Sequence, residues 1–395
     1  MLAVDDIEDA VNSGWVDDSR EAISKGFLEY FAMLEDPRMI SKTDHRLLEI
    51  VFISVCAYIC GFNCWEGVFE FAQAREEWLK KYIELKNGIP SRVTYWRTFA
   101  HLNPHAFSSC FRNWIYTLLG ETKHIAIDGK ALRGVYDPNN PDLSLILVSA
   151  WATDKSLLLG QVKTDVKSNE ITAIPKLLDV ICVKDCLISI DAIGCQTEIA
   201  KKIVDLEGDY LLALKGNQGM LREDIETYFQ GALQSDWEYI DYESCESVEK
   251  GHGRIDTRKV YLIRNMHECI DKEKWPKLNS VVMVISTRLI KGKEATETRY
   301  YITSSSMGVT EIALAIRKHW AIENELHWSL DVGFREDRQI AQKMNLAENL
   351  ATLRRIAFTH LKKESSTLSI ENKRIKAAMS TDYLERILGL EKSSG

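Results

Sequence analysis

Cys186-Leu-Ile-Ser-Ile-Asp191 and the earlier His124-Ile-Ala-Ile-Asp128 decide how this chain is read. Each is an apolar run of strand length that stops at an acid. Between them, residues 143–153 and 157–164 read as strands on either side of a turn at Asp154-Lys155, and residues 169–180 as an amphipathic helix. A helix over 196–206 and the strand Asp209-Tyr-Leu-Leu-Ala-Leu-Lys215 follow. Three strands, helix, strand, helix, strand is the order of a mixed sheet with helices on both faces. If the two acid-ended strands are neighbours, Asp128 and Asp191 stand together at one sheet edge, where like charges call for a cation.

A third acid comes from the helical pattern over 309–331. His319, Glu323, His327 and Asp331 recur every fourth residue and share one helix face, whereas Glu325 is rotated by about 200° from Glu323. With Glu323 brought to Asp128 and Asp191, three carboxylates would suit Mg²⁺, which takes hard oxygen donors and substrate phosphate. Such a site supports in-line displacement at phosphorus. No HExxH pair is present, so the two histidines are either structural or contacts to phosphate. Residues 237–303 break the alternation. Strands over 237–242, 257–263, 280–288 and 299–303 predict a β-rich insertion that projects as a separate subdomain.

Residues 21–120 read as helices, with apolar positions at helical spacing from Leu47 to Ile59. Ser91 is an N-cap, and the helix it opens displays Arg92, Tyr95 and Arg97, either as a recognition helix or as a packing helix with a polar face. The formal net charge of −8 is concentrated. Residues 1–36 hold ten acids against Arg20 and Lys25, and residues 338–376 hold nine Lys or Arg against three Glu. That local excess permits nucleic-acid binding in a chain that is acidic overall. Nine cysteines form no CxxC pair, and Cys56, Cys60 and Cys64 fit one stripe of an apolar helix. No run of about 18 uncharged apolar residues marks a membrane span, and no basic-then-apolar leader pattern opens the chain.

Six collinear segments carry a resemblance: Ile125-Ala-Ile-Asp-Gly-Lys-Ala-Leu-Arg-Gly134, Lys167-Ser-Asn-Glu-Ile-Thr-Ala-Ile-Pro175, Ile190-Asp-Ala-Ile-Gly-Cys-Gln196, Gly208-Asp-Tyr-Leu-Leu-Ala-Leu-Lys-Gly-Asn-Gln218, Lys250-Gly-His-Gly-Arg254, and residues 317–331. With the helical stretch from Asp36 to Pro104, they make the chain resemble the H-repeat-associated family of bacterial insertion-sequence transposases, of the DDE superfamily. The resemblance implies an α/β fold, an RNase H-like mixed sheet flanked by helices, with a β-rich insertion and an all-helical N-terminal domain. The corresponding segments are 1–120, 121–236, 237–303 and 304–395. It also implies metal-dependent DNA cleavage and strand transfer, with Asp128, Asp191 and Glu323 binding two Mg²⁺ or Mn²⁺ ions. The implied partner is double-stranded DNA, both element ends and target, bound by a homodimer in the cytoplasm at the nucleoid. Ile316, His319 and Leu330 depart from the pattern, standing where related cut-and-paste transposases carry Tyr, Arg and Lys.

Further residues are candidates for DNA contact. Lys130, Arg133, Lys215 and Arg254 are either phosphate-binding cations or plain surface charges. Asn217 and Gln218 either touch DNA or make the turn after a strand. His252, Arg317, His319 and His327 join the same group. Trp320 and Trp328 either stack on an unpaired base or pack in the core. Two rival functions stay open: a domesticated DNA-binding descendant without catalysis, and a nuclease on the same core that does not join strands.

Overall fold

The structure is a computed structural model that describes residues 27–39, 41, 43–132, 145–164, 169–238, 240–251, 253–264, 274–338 and 344–390. Nine strands form one mixed sheet in the order β3-β2-β1-β4-β5-β9-β8-β7-β6. They are β1 (His124–Leu132), β2 (Leu145–Ala152), β3 (Leu157–Lys163), β4 (Leu187–Ile190), β5 (Asp209–Leu214), β6 (Tyr242–Gly251), β7 (Arg254–Arg264), β8 (Ser280–Ile290) and β9 (Lys293–Thr303). β4 runs parallel to both β1 and β5, whereas β5 to β6 through β9, β8 and β7 is antiparallel throughout. The central strands read as unbroken apolar runs because helices cover them on both faces.

By chain contacts the protein divides into two compact units. One gathers residues 121–131 and 146–326, the sheet with its helices. The other gathers residues 1–120, 132–145 and 327–395. In the helical unit, the described helices are α1 (Phe27–Ala32), α2 (Leu47–Ile59), α3 (Trp65–Ala74), α4 (Arg92–His101) and α5 (Pro104–Leu119), with a short turn at Glu76–Leu79. The sheet unit adds α6 (Glu170–Leu178), α7 (Thr197–Asp205), α8 (Gly219–Gln234) and α9 (Val309–His319). The chain ends with α10 (Met344–Lys363), α11 (Ile370–Met379) and α12 (Thr381–Leu388), and α10 lies against α2, α4 and α5.

Five expectations change. The β-rich segment does not project as a separate subdomain, because β9 pairs with β5 from Leu211↔Thr303 to Leu214↔Tyr300 and carries the meander into the core sheet. Its first strand is β6 rather than 237–242. Ser91 does cap α4, its hydroxyl accepting from Thr94 N–H, but Tyr95 does not project: it is fully buried, stacked 6.2 Å from Trp65. Four of the nine cations in the stretch near the C-terminus are internal. Arg354 and Arg355 are buried against Glu336, and Lys373 against Glu364. Arg374 donates to the Tyr58 and Gly333 carbonyls. A buried cation must be paired to offset its lost hydration, so these four hold helices rather than present charge. Finally, α2 stops at Ile59, and Cys64 is exposed rather than part of the buried Cys56–Cys60 stripe.

Candidate catalytic site

Strand register sets the first two acids side by side. The parallel β1–β4 ladder ends at Ile127↔Ile190, and Asp128 and Asp191 are the next residue of each strand. β1 itself runs on to Leu132, so Asp128 lies within a strand rather than at its end. Side chains alternate across a sheet, which places Asp128 on the face of His124, and Asp191 on the face of Ser189. That face is shared. The Ser189 hydroxyl bridges His124 Nε2 and His319 Nδ1 at 2.8 Å each, and Thr153 Oγ1 meets His124 Nδ1 at 2.8 Å. The chain of hydroxyls and imidazoles ties β1, β2, β4 and the end of α9 together directly beneath the acids.

Helix α9 brings Glu323 to the same face. Val309, Ile312, Ala315 and Ile316 pack on Leu187, Leu211, Val260, Leu262, Val282 and Val284. Burying a side chain such as Ile312 contributes about 1.5–3 kcal/mol. The α-helix stops at His319, and the chain continues through π-helical turns at Ile322–His327 and Ser329–Gly333. The expected stripe of His319, Glu323, His327 and Asp331 therefore does not persist, since i→i+5 bonding replaces the four-residue repeat. Glu323 is exposed, while Glu325 is part-buried and accepts from the Ser156 hydroxyl at 3.2 Å. Ile316 and Leu330, at the departed Tyr and Lys positions, are buried.

Electrostatics registers the convergence. Burial, then the charges of Asp191, Glu323 and Glu170, push the Asp128 carboxyl up to about 7. Glu170 is itself raised, by burial and then by Asp191. Burial holds His124 down to about 3, helped by His319 and Lys318. It holds His319 down to about 4 against the pull of Asp191. Both imidazoles are thus neutral hydrogen-bonding groups at neutral pH. Asp191 Oδ1 accepts from the N–H groups of Ile193 and Gly194 at 3.1 and 3.4 Å, which orients its carboxylate. Among the described residues, no three His, Cys, Asp or Glu side chains are grouped so as to hold an ion as they stand. The donor set is nevertheless all carboxylate oxygen, the chemistry Mg²⁺ takes, and the crowding of like charge at Asp128 is what a cation would relieve.

The remaining candidates fall in several places. Asn217 Nδ2 donates to the Ala192 carbonyl at 2.6 Å, and Gln218 Nε2 to that of Cys195 at 2.9 Å. Those amides brace the turn after Asp191. Lys130 is buried on β1 and Lys215 is exposed after β5. Arg254 pairs with Asp256 at 3.1 Å and Arg317 with Glu249 at 2.5 Å. Trp320 is 38% exposed, with the Arg299 guanidinium 4.8 Å from its ring centroid, and Trp328 is also exposed. His327 is buried and falls in the helical unit. Arg133 and His252 lie outside the described residues. A cavity of about 580 Å³ on the β7–β9 face is lined by Arg254, Arg258, Arg288, Arg299, Arg317, Trp320 and Glu323. It joins the arginines of the meander to the third acid.

Two features were not singled out from sequence as site residues. Glu170 lay within the Lys167–Pro175 segment but was not assigned a role; the clue is a glycine directly after Asp128. The Ser189 bridge left no trace, because a serine between two isoleucines reads as ordinary strand.

Comparison with known proteins identifies the family. Residues 120–359 fit the family described as Transposase DDE domain, and residues 28–115 the one described as DDE_Tnp_1-associated. A protein named "Putative transposase YncI" from Escherichia coli O157:H7 is 38% identical over 372 residues, 92% of this chain and 94% of its own. The "H repeat-associated putative transposase YhhI" of Escherichia coli (strain K12) is 37% identical over 372 residues, 92% of this chain and 98% of its own. The chain belongs to the DDE transposase family, within its H-repeat-associated group, and its mixed sheet is the RNase H-like core of that family.

Proposed function

We propose that this protein cleaves DNA at the ends of an insertion sequence and joins the freed strand to target DNA. Asp128, Asp191 and Glu323 carry the chemistry. The observation that bears most weight is the β1–β4 register, which sets the two aspartates side by side on the face where α9 delivers Glu323. These three would hold two Mg²⁺ or Mn²⁺ ions, which when bound supply an activated water or 3′-hydroxyl and stabilise the leaving oxygen. The protein's own part is to orient the carboxylates. The backbone N–H groups after Asp191 fix that carboxylate, and Asn217 and Gln218 brace their turn. The neutral His124–Ser189–His319 chain sets the spacing of β1, β4 and α9 without adding charge.

The substrate is double-stranded DNA, both element end and target, bound by a homodimer in the cytoplasm at the nucleoid. The arginine-lined cavity beside Glu323 supports a phosphate-backbone contact there, Arg254 and Arg317 included, since guanidinium groups meet phosphate with paired donors. Residues 1–120 serve as the DNA-recognising part, residues 121–236 and 304–326 as the catalytic core, and residues 237–303 as its DNA-facing extension. Among the described residues, no helix is long and apolar enough to cross a membrane.

A plasmid carrying candidate element ends, incubated with the protein, tests this. We expect cleavage and joining with Mg²⁺ or Mn²⁺ and none with EDTA. Asp128→Ala, Asp191→Ala and Glu323→Ala should each abolish both while leaving DNA binding intact. Full cleavage by Glu323→Ala, with loss in Glu325→Ala, would move the third acid to Glu325. Cleavage without joining would leave a nuclease, and binding without either would leave a DNA-binding descendant.

A further inference from the structure

β2 (Leu-Ile-Leu-Val-Ser-Ala-Trp-Ala) carries one hydroxyl, Ser149, among apolar neighbours. It is fully buried, and its Oγ has no hydrogen-bond partner among the described residues. A buried hydroxyl left unpaired is destabilising. Alanine, which β2 uses at positions 150 and 152, would fill the same space without that penalty.

Strand register gives what Ser149 faces. β1 and β2 are neighbours, and the Thr153 N–H donates to the His124 carbonyl at 3.0 Å. The end of β2 thus lies at the start of β1, and the two strands run antiparallel. Four residues inward from that pair, Ser149 stands opposite Asp128; four further on, Leu145 stands opposite Leu132, where β2 begins and β1 ends. The bulge between β2 and β3 leaves this register intact, because its extra residue, Leu159, belongs to β3. Thr153 Oγ1 reaches His124 at 2.8 Å on the face that carries the acids, and alternation back along β2 returns Ser149 to that face. Opposed Cβ atoms lie about 4.5–5.5 Å apart, a spacing that side-chain rotation closes between a hydroxyl and a carboxylate. Gln161, also buried, is the partner of Ser149 in the β2–β3 ladder. A polar row therefore crosses three strands and ends at Asp128.

We propose that Ser149 is a positioning residue for Asp128, its hydroxyl donating to the carboxylate oxygen turned away from the cation when the site is charged. This rests on the catalytic reading of Asp128 given above.

The test is Mn²⁺ binding by the full chain, followed by electron paramagnetic resonance, beside metal-free thermal unfolding and the Mn²⁺ dependence of cleavage. Without metal, Ser149→Ala should melt at or above wild type, because an unpaired buried hydroxyl is gone. It should bind Mn²⁺ about tenfold to a hundredfold more weakly, the loss seen when a group hydrogen-bonded to a metal ligand is removed. Its cleavage should need correspondingly more Mn²⁺ and approach the wild-type rate at saturation. Ser149→Thr, which keeps the hydroxyl, should recover most of the affinity. In an Asp128→Ala background, Ser149→Ala should weaken Mn²⁺ binding no further. Wild-type Mn²⁺ affinity in Ser149→Ala, with affinity lost in Asp128→Ala, would reduce Ser149 to packing and overturn the proposal while leaving the catalytic reading standing. A wild-type chain that binds no Mn²⁺, or binds it no better than Asp128→Ala, would overturn both. Binding that depends on Ser149 and Asp128 in a protein that cleaves no DNA would uphold the proposal and refute the transposase reaction.

Discussion

At the scale of single residues, Asp128 is a group whose fold works against its own charge. Its carboxyl stands at about 7 in the folded chain, against about 4 for an exposed aspartate. A raised folded value means the contribution to stability is fully present below pH 4 and is lost as pH climbs through 7. At pH 8 without metal, the ionised group costs at most on the order of 4 kcal/mol. Asp128→Asn should therefore raise the melting temperature of the metal-free protein at pH 8, have little effect at pH 4, and abolish cleavage throughout. A melting temperature lowered at pH 8 would show that some cation of the protein already compensates the charge. Strain of this kind clusters at functional sites.

Among elements, the apolar ones were legible and the polar ones were not. β4, β5, α6 and α7 were readable from sequence within two residues, because burial on both faces or one stripe leaves a clear hydrophobic period. β6 was misplaced. Its sequence Tyr-Glu-Ser-Cys-Glu-Ser-Val-Glu-Lys-Gly is half-buried at best along its whole length, as suits a charged edge strand that blocks further pairing. The π-helical turns carrying Glu323 were hidden too, since local sequence spells an α-helix and only packing decides the wider bonding. Of the candidate site, Asp128 and Asp191 were read from the ends of apolar runs, and Glu323 from a helical pattern and the family resemblance. The partners of Asn217, Gln218 and Arg317 lie 25, 23 and 68 positions away and had no local signal; Arg254 pairs with Asp256 two residues on. For the meander as a DNA-facing element, Arg254→Ala and Arg317→Ala should each reduce the slope of log affinity against log salt by about one. Filter binding between 50 and 200 mM salt (roughly the range where such slopes are steep) measures it, and an unchanged slope in both would remove the cavity from the interface.

For the whole molecule, three buried imidazoles set the response to acid. His124 and His360 are held down to about 3 and His319 to about 4, in each case chiefly by burial. A free histidine titrates near 6.5. The unfolded chain therefore takes up protons first, and stability present above pH 6.5 drains away as pH falls toward 4. The loss is on the order of several kcal/mol, partly offset by Asp128, whose sign is opposite. Melting curves from pH 7 to 4.5 should fall steadily, and His124→Gln should flatten the fall; a flat wild-type profile would contradict the buried neutral assignment. The route of the chain through the sheet has a consequence for synthesis. Asp128 and Asp191 leave the ribosome early, but α9 has no docking face until β9 has paired with β5, and Glu323 emerges 132 residues after Asp191. At the usual elongation speed that is a delay of roughly 7–26 s, during which the growing chain holds two acids and lacks the third. Under the proposed reaction, a product released by a ribosome that stalls within the meander lacks the third acid and should leave the chromosome beside it uncut.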